Sequence, residues 1–159
     1  MDVGQIVAVW LHTVGFVIAW GYYGVLARMV IPELAADGSD RAGVLALAGI
    51  ERRALTLIGA ALLLFLVTGT YLLLTDASYQ GLGNFFASTW TTLMLVKHVV
   101  VVALVAVGFG IDVLIRRAAG SISQADRRTA LRGARLGAEA ATGLGAVIAL
   151  LTAAAQASA

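Results

Sequence analysis

Residues 88–117, STWTTLMLVKHVVVVALVAVGFGIDVLIRR, decide the fold. From Ser88 to Ile115 the run is almost continuously apolar, and Arg116 and Arg117 close it. A bilayer core of about 30 Å is crossed by roughly 20 apolar residues in helical form. This run exceeds that length, so it reads as a membrane-spanning helix. Lys97 and His98 stand side by side within it; Lys97 is the only lysine in the chain, and the other histidine is His12.

The same length criterion is met three more times, at about Val3 to Val30, Ala54 to Thr75 and Ala134 to Ala155. The expected fold is therefore all-α: one integral membrane domain over residues 1–159, built as a four-helix bundle. Composition agrees, since 60% of the 159 residues are hydrophobic and 13% charged, with a mean hydropathy of +0.93. A soluble domain of that composition would expose wide apolar patches. There is no cysteine, which removes disulfides, thiolate metal sites and cysteine nucleophiles. The opening MDVGQIVAVWLHTVGF lacks a basic leader and a small-residue cleavage pattern, so it reads as a retained span and not a signal peptide. No phosphate loop, nucleic-acid motif or internal repeat is present, and no residue is assigned a catalytic role.

Connections carry the charge. Arg28, Arg41, Arg52, Arg53, Arg116, Arg117, Arg127, Arg128, Arg132 and Arg135 all lie in or beside the first and third connections. The middle connection and both ends have none. By the positive-inside rule the two basic connections are cytoplasmic and both termini extracytoplasmic, in a multi-pass protein of the cell membrane. Tyr79, Phe85, Phe86 and Trp90 would then belong to an outer aromatic belt. Asp40 or Ser39 is expected to cap a helix running into the second span, and Ser123 with Asp126 fits a capping box.

This orientation places the unusual residues at matched depth. His12 lies about 13 Å into span one, and Lys97 and His98 about 10 to 12 Å into span three, by helical rise. Thr68, Thr70 and Tyr71 fall in the outer half of span two. A lysine near a span's middle costs roughly 2.5 to 3.5 kcal/mol on insertion scales. Snorkelling toward the headgroups would relieve Lys97, and a neutral imidazole bonded to a neighbouring helix would explain either histidine. Neither accounts for all three sharing one layer. Met94 precedes His98 by four, so thioether and imidazole share a face, a soft donor set suited to copper(I). Methionine is also a common filler of gaps. Ala8, Gly15 and Ala19 slim the helix beside His12, leaving room for a flat macrocycle or a close helix.

Other polar groups read as structural: Asp112 with Arg116, and Arg135 with Glu139, as pairs four apart, although Glu139 sits deeper and is a weak proton-relay candidate. Gly133, Gly137, Ala141, Gly145, Ala149 and Ala153 form a small-residue ridge on span four. It should admit a close helix, from this bundle, a second copy or a membrane complex.

Three segments, WLHTVGFVIAWGYYG, ERRALTLIGAALLLFLVTGTYLL and TTLMLVKHVVVVALVAVGFG, resemble the first three helices of the copper resistance D family. The resemblance spans about residues 7 to 117 and places the family's histidine on His12 and its lysine on Lys97. Trp20 falls eight residues after His12, where that pattern expects seven, and the additional spans of longer members are missing. A histidine on span one, an arginine opening span two and a lysine on span three are also similar to the haem-associated membrane protoporphyrinogen oxidases. His98 belongs to neither pattern. The first resemblance implies copper handling, and residue chemistry, not the resemblance, offers His12, His98 and Met94 as its ligands with Lys97 beside them. The second implies a haem-linked protein, for which the two imidazoles at one depth, His12 and His98, offer b-type axial ligands and Lys97 a partner for an anionic group. A third reading is an accessory subunit in which the polar layer only holds helices together.

Overall fold

The computed structural model describes residues 2–36, 40–76, 81 and 86–158. Its elements are α1 (Val3–Val25), a π-helical turn (Leu26–Val30), α2 (Ile31–Ala36), α3 (Arg41–Thr75), α4 (Thr89–Gly120) and α5 (Gln124–Ala157). Among the described residues there is no strand. Four helical stretches, Val3–Ala35 and the whole of α3, α4 and α5, are long and apolar enough to cross a membrane.

Each helix begins or bends for a chemical reason. Asp2 accepts from the Gln5 amide at 2.8 Å while the Gln5 side chain accepts from the Asp2 amide, a reciprocal cap that satisfies two end donors. Ser88 and Thr91 build the same arrangement for α4. Ser123 accepts from the Asp126 amide, one half of the expected box. Asp40 precedes α3 but its side chain makes no capping bond; Ser39 lies outside the described residues. The π turn has its cause in Pro32. A proline lacks an N–H, and its ring would strike the carbonyl four residues back. The chain widens there, and the Ile31 amide bonds to the Leu26 carbonyl five residues earlier.

Buried positions recur at spacings of three and four. On α3 they are Val44, Leu47, Glu51, Ile58, Ala61, Phe65 and Thr68; on α4 they include Val101, Leu104, Gly108, Ile111, Ile115 and Ala118. This is the 3.5-residue repeat that keeps one seam facing its partners in a left-handed coil. α4 packs along α5, α1 along α3, and the remaining contacts of α1 with α5 and α3 with α4 close the ring. Facing outward, Trp10, Leu63, Val67, Val99, Val102 and Phe109 are all more than half exposed. Such a surface suits lipid, not water.

Small residues set the closest approaches. A methyl group on Gly15 would come within 2.8 Å of the Ala61 carbonyl, so α3 itself fills the space beside the slim face of α1, and no macrocycle fits there. On the α5 ridge, Gly133 meets Leu114, Gly137 meets Ile111, and Gly145 meets the Trp20 indole. Ala141 is buried, whereas Ala149 and Ala153 are exposed. The first four ridge positions therefore serve packing within the bundle. The Asp112–Arg116 and Arg135–Glu139 pairs both form, but Asp112 faces the packed interior at 7% exposure and is no surface group.

Candidate functional site

His12, Met94, Lys97 and His98 line one cavity of about 390 Å³. Its wall also takes in Gln5, Asp76, Trp90, Thr152 and Gln156, which come from the first turn of α1, the end of α3, the first turn of α4 and the last turns of α5. The cavity thus lies at the end of the bundle that holds both chain termini, away from the arginines. Residues 90, 94, 97, 98 and 101 line it from one face of α4, so Lys97 and His98 both reach it.

His12 is held from α3. Its Nδ1 lies 2.9 Å from the Phe65 carbonyl and 3.2 Å from the Thr68 hydroxyl oxygen. The Thr68 hydroxyl spends its own proton on the Leu64 carbonyl at 2.6 Å. Both partners of Nδ1 are therefore acceptors, and Nδ1 carries the proton. The ring stacks on Phe65 with centroids 4.0 Å apart. Gly69 permits this pose, because a methyl group there would come within 2.8 Å of the His12 Cε1. Nε2 keeps its lone pair, has no partner among the described residues and is not sealed from solvent.

His98 reaches the same tautomer differently. Its Nδ1 donates to the Met94 carbonyl one turn back, at 2.6 Å, which again leaves Nε2 with the lone pair. A ring whose Nδ1–H is tied to a backbone carbonyl is the usual form of a ligating histidine. Lys97 is half-buried and makes no ion pair with any described residue. The site offers two imidazole nitrogens without a partner among the described residues, one thioether and one lysine amine.

Comparison with protein-family models, curated proteins and solved structures found no match.

Among the described residues no three His, Cys, Asp or Glu side chains cluster as a metal site; the donors at the cavity number three only with the Met94 sulfur. Trp90, expected in the outer aromatic belt, is 4% exposed and forms part of the cavity wall at the end of the bundle that holds the termini. Phe86 is 82% exposed, as a belt residue would be; Tyr79 and Phe85 lie outside the described residues. Sequence reading overlooked Gln5, Asp76, Thr152 and Gln156. The signal was available in Thr152 and Gln156, polar residues four apart near the end of an apolar helix. Trp20 does not line this cavity. Its indole N–H donates to the Thr142 carbonyl at 2.8 Å, and it stacks with Phe16, so its role is to join α1 to α5.

Proposed function

We propose that the protein is a multi-pass membrane protein of the copper resistance D type that takes copper at an intramembrane site open to the extracytoplasmic side. The observation that carries this reading is the cavity shared by His12, Met94, Lys97 and His98, with both imidazole Nε2 atoms left free. Imidazole and thioether together suit copper(I), the softest of the common biological copper forms. Copper here is cargo. The segregation of all ten arginines to two connections supports termini outside and basic connections in the cytoplasm of a cell-membrane protein. The resemblance at His12 and Lys97 points the same way.

A second reading is b-type haem. It is favoured by Lys97, a cation without an ion-pair partner among the described residues, beside imidazoles contributed by two different helices. Since α3 fills the space beside Gly15, a macrocycle would have to enter the cavity from its open side, where His12 and His98 would hold the iron and Lys97 an anionic substituent; bound haem would supply one-electron redox chemistry. The residues' own part is to fix both ring tautomers and exclude lipid from the cavity.

An absorption spectrum and metal analysis of the purified protein separate the readings, because a b-haem preparation is red. Copper(I) titration should give saturable binding that His12→Ala and His98→Ala each reduce at least tenfold, on the scale of losing a ligand. Lys97→Ala should change affinity while binding persists. If both histidine variants fold and keep full copper and haem binding, the layer is structural and the accessory-subunit reading stands.

A further inference from the structure

At the arginine-rich end, α3 turns a carboxylate into its own packed seam. Glu51 follows Leu47 at the spacing of the buried stripe and is 3% exposed. Its Oε2 is sealed from solvent and has no hydrogen-bond partner. Asp112 of α4, 7% exposed, is the charged neighbour, and it is already served: the Arg116 Nε donates to both of its oxygens, at 2.8 and 2.9 Å. Asp112 and Arg116 are the charged groups that act on Glu51, and α1, the other helix packed on α3, carries no Asp, Glu, Lys or Arg. Two buried carboxylates thus stand against one guanidinium, whose hydrogen bonds go to Asp112.

That arithmetic leaves one negative charge uncompensated if both carboxyls ionise, and an unpaired buried carboxylate is among the costliest states in a protein. A divalent cation would lack ligands, since no third His, Cys, Asp or Glu among the described residues joins the pair. A proton satisfies the charge count and needs no further donor. We propose that Glu51 and Asp112 form a proton-binding site at this end of the bundle, holding one exchangeable proton on Glu51 while Arg116 neutralises Asp112. Release of the proton leaves Glu51 as carboxylate and calls for Arg116, whose side chain is 64% exposed and therefore has room to turn. The site lies on different helix turns from the His12 cavity, and it stands whether or not that cavity takes copper.

The chain has three glutamates, Glu33, Glu51 and Glu139, which makes the test direct. The intact protein is grown with glutamate carrying 13C at the side-chain carboxyl, and its carbonyl signals are read by NMR or isotope-edited infrared spectroscopy. Glu33→Gln and Glu139→Gln remove two signals and identify the third as Glu51 without altering the site. The expected result at neutral pH is a protonated, deuterium-exchangeable carboxylic acid for Glu51 and carboxylates for the other two. Asp112→Asn frees Arg116, so the Glu51 signal should then convert to carboxylate. A Glu51 carboxylate in the unaltered protein at neutral pH overturns the proposal. A Glu51 that stays fully protonated in Asp112→Asn overturns the part given to Asp112, which is to hold Arg116 away from Glu51.

Discussion

At the scale of single residues, the chemistry of His12 depends on an atom that is missing. Gly69 leaves open the space where the imidazole reaches the Phe65 carbonyl, and a methyl group there would approach Cε1 to 2.8 Å. Helix propensity argues the opposite sign, because alanine is favoured over glycine by about 1 kcal/mol in a helix. The two effects separate cleanly at two positions of one helix. Gly59→Ala, with nothing within 4 Å of the added carbon, should leave ligand binding unchanged and raise stability slightly. Gly69→Ala should displace the ring and lower copper or haem affinity by about tenfold to a hundredfold, the usual cost of disturbing the group that orients a ligand. Titrations of both variants check this, and equal affinities would remove Gly69 from the site. The histidines and Lys97 were legible in the sequence because polar residues are rare in apolar runs. Gly69 passes unmarked in the sequence between Thr68 and Thr70, since the reason for a glycine is a neighbour that sequence does not name.

At the scale of elements, the four long helices were legible and their faces were not. A helix that is apolar all round gives no periodic signal for which side is buried; valine stands exposed at Val99 and Val102 and in the seam at Val101. What does mark the seam is size. The α5 ridge predicts close approach, and Gly145 fulfils it by receiving the Trp20 indole, whose N–H is anchored one turn away on the Thr142 carbonyl. Gly145→Leu must push that indole out, at a cost of roughly 1 to 3 kcal/mol for overpacking alone, plus the stranded N–H. Gly143→Leu adds the same side chain at an exposed position with nothing within 4 Å and should be tolerated. Thermal unfolding in detergent distinguishes the two, and equal stability would deny the ridge a packing role. Glu51 escaped the sequence reading for a related reason: beside Arg52 and Arg53 it reads as part of a charged connection, and only the three-and-four spacing of its neighbours reveals that it faces inward.

At the scale of the molecule, the two ends of the bundle differ in kind. One end carries both termini, the capped starts of α1 and α4, and the cavity with its imidazoles and lone lysine. The other carries every arginine, the π turn before Pro32, and the Glu51–Asp112 pair. Arginines next to short connections resist transfer across a membrane, and it is their placement, not net charge, that orients a multi-pass chain. With ten arginines on two connections and none on the third, the bias has no counterweight, and the rule predicts a cavity that opens away from the cytoplasm. Four helical stretches among the described residues are each long and apolar enough to cross a membrane. A reporter that works only in the cytoplasm, fused after Ala159, should therefore be silent, while the same reporter placed in the connection after Gly120 should be active. A second pair of fusions sharpens the test. Adding arginines to the middle connection between α3 and α4 supplies the missing counterweight and should raise the C-terminal signal from silence, since the rule ties orientation to arginine placement. An active C-terminal fusion in the unaltered chain would invert the bundle, turn the histidine cavity toward the cytoplasm, and withdraw the proposed extracytoplasmic route to it.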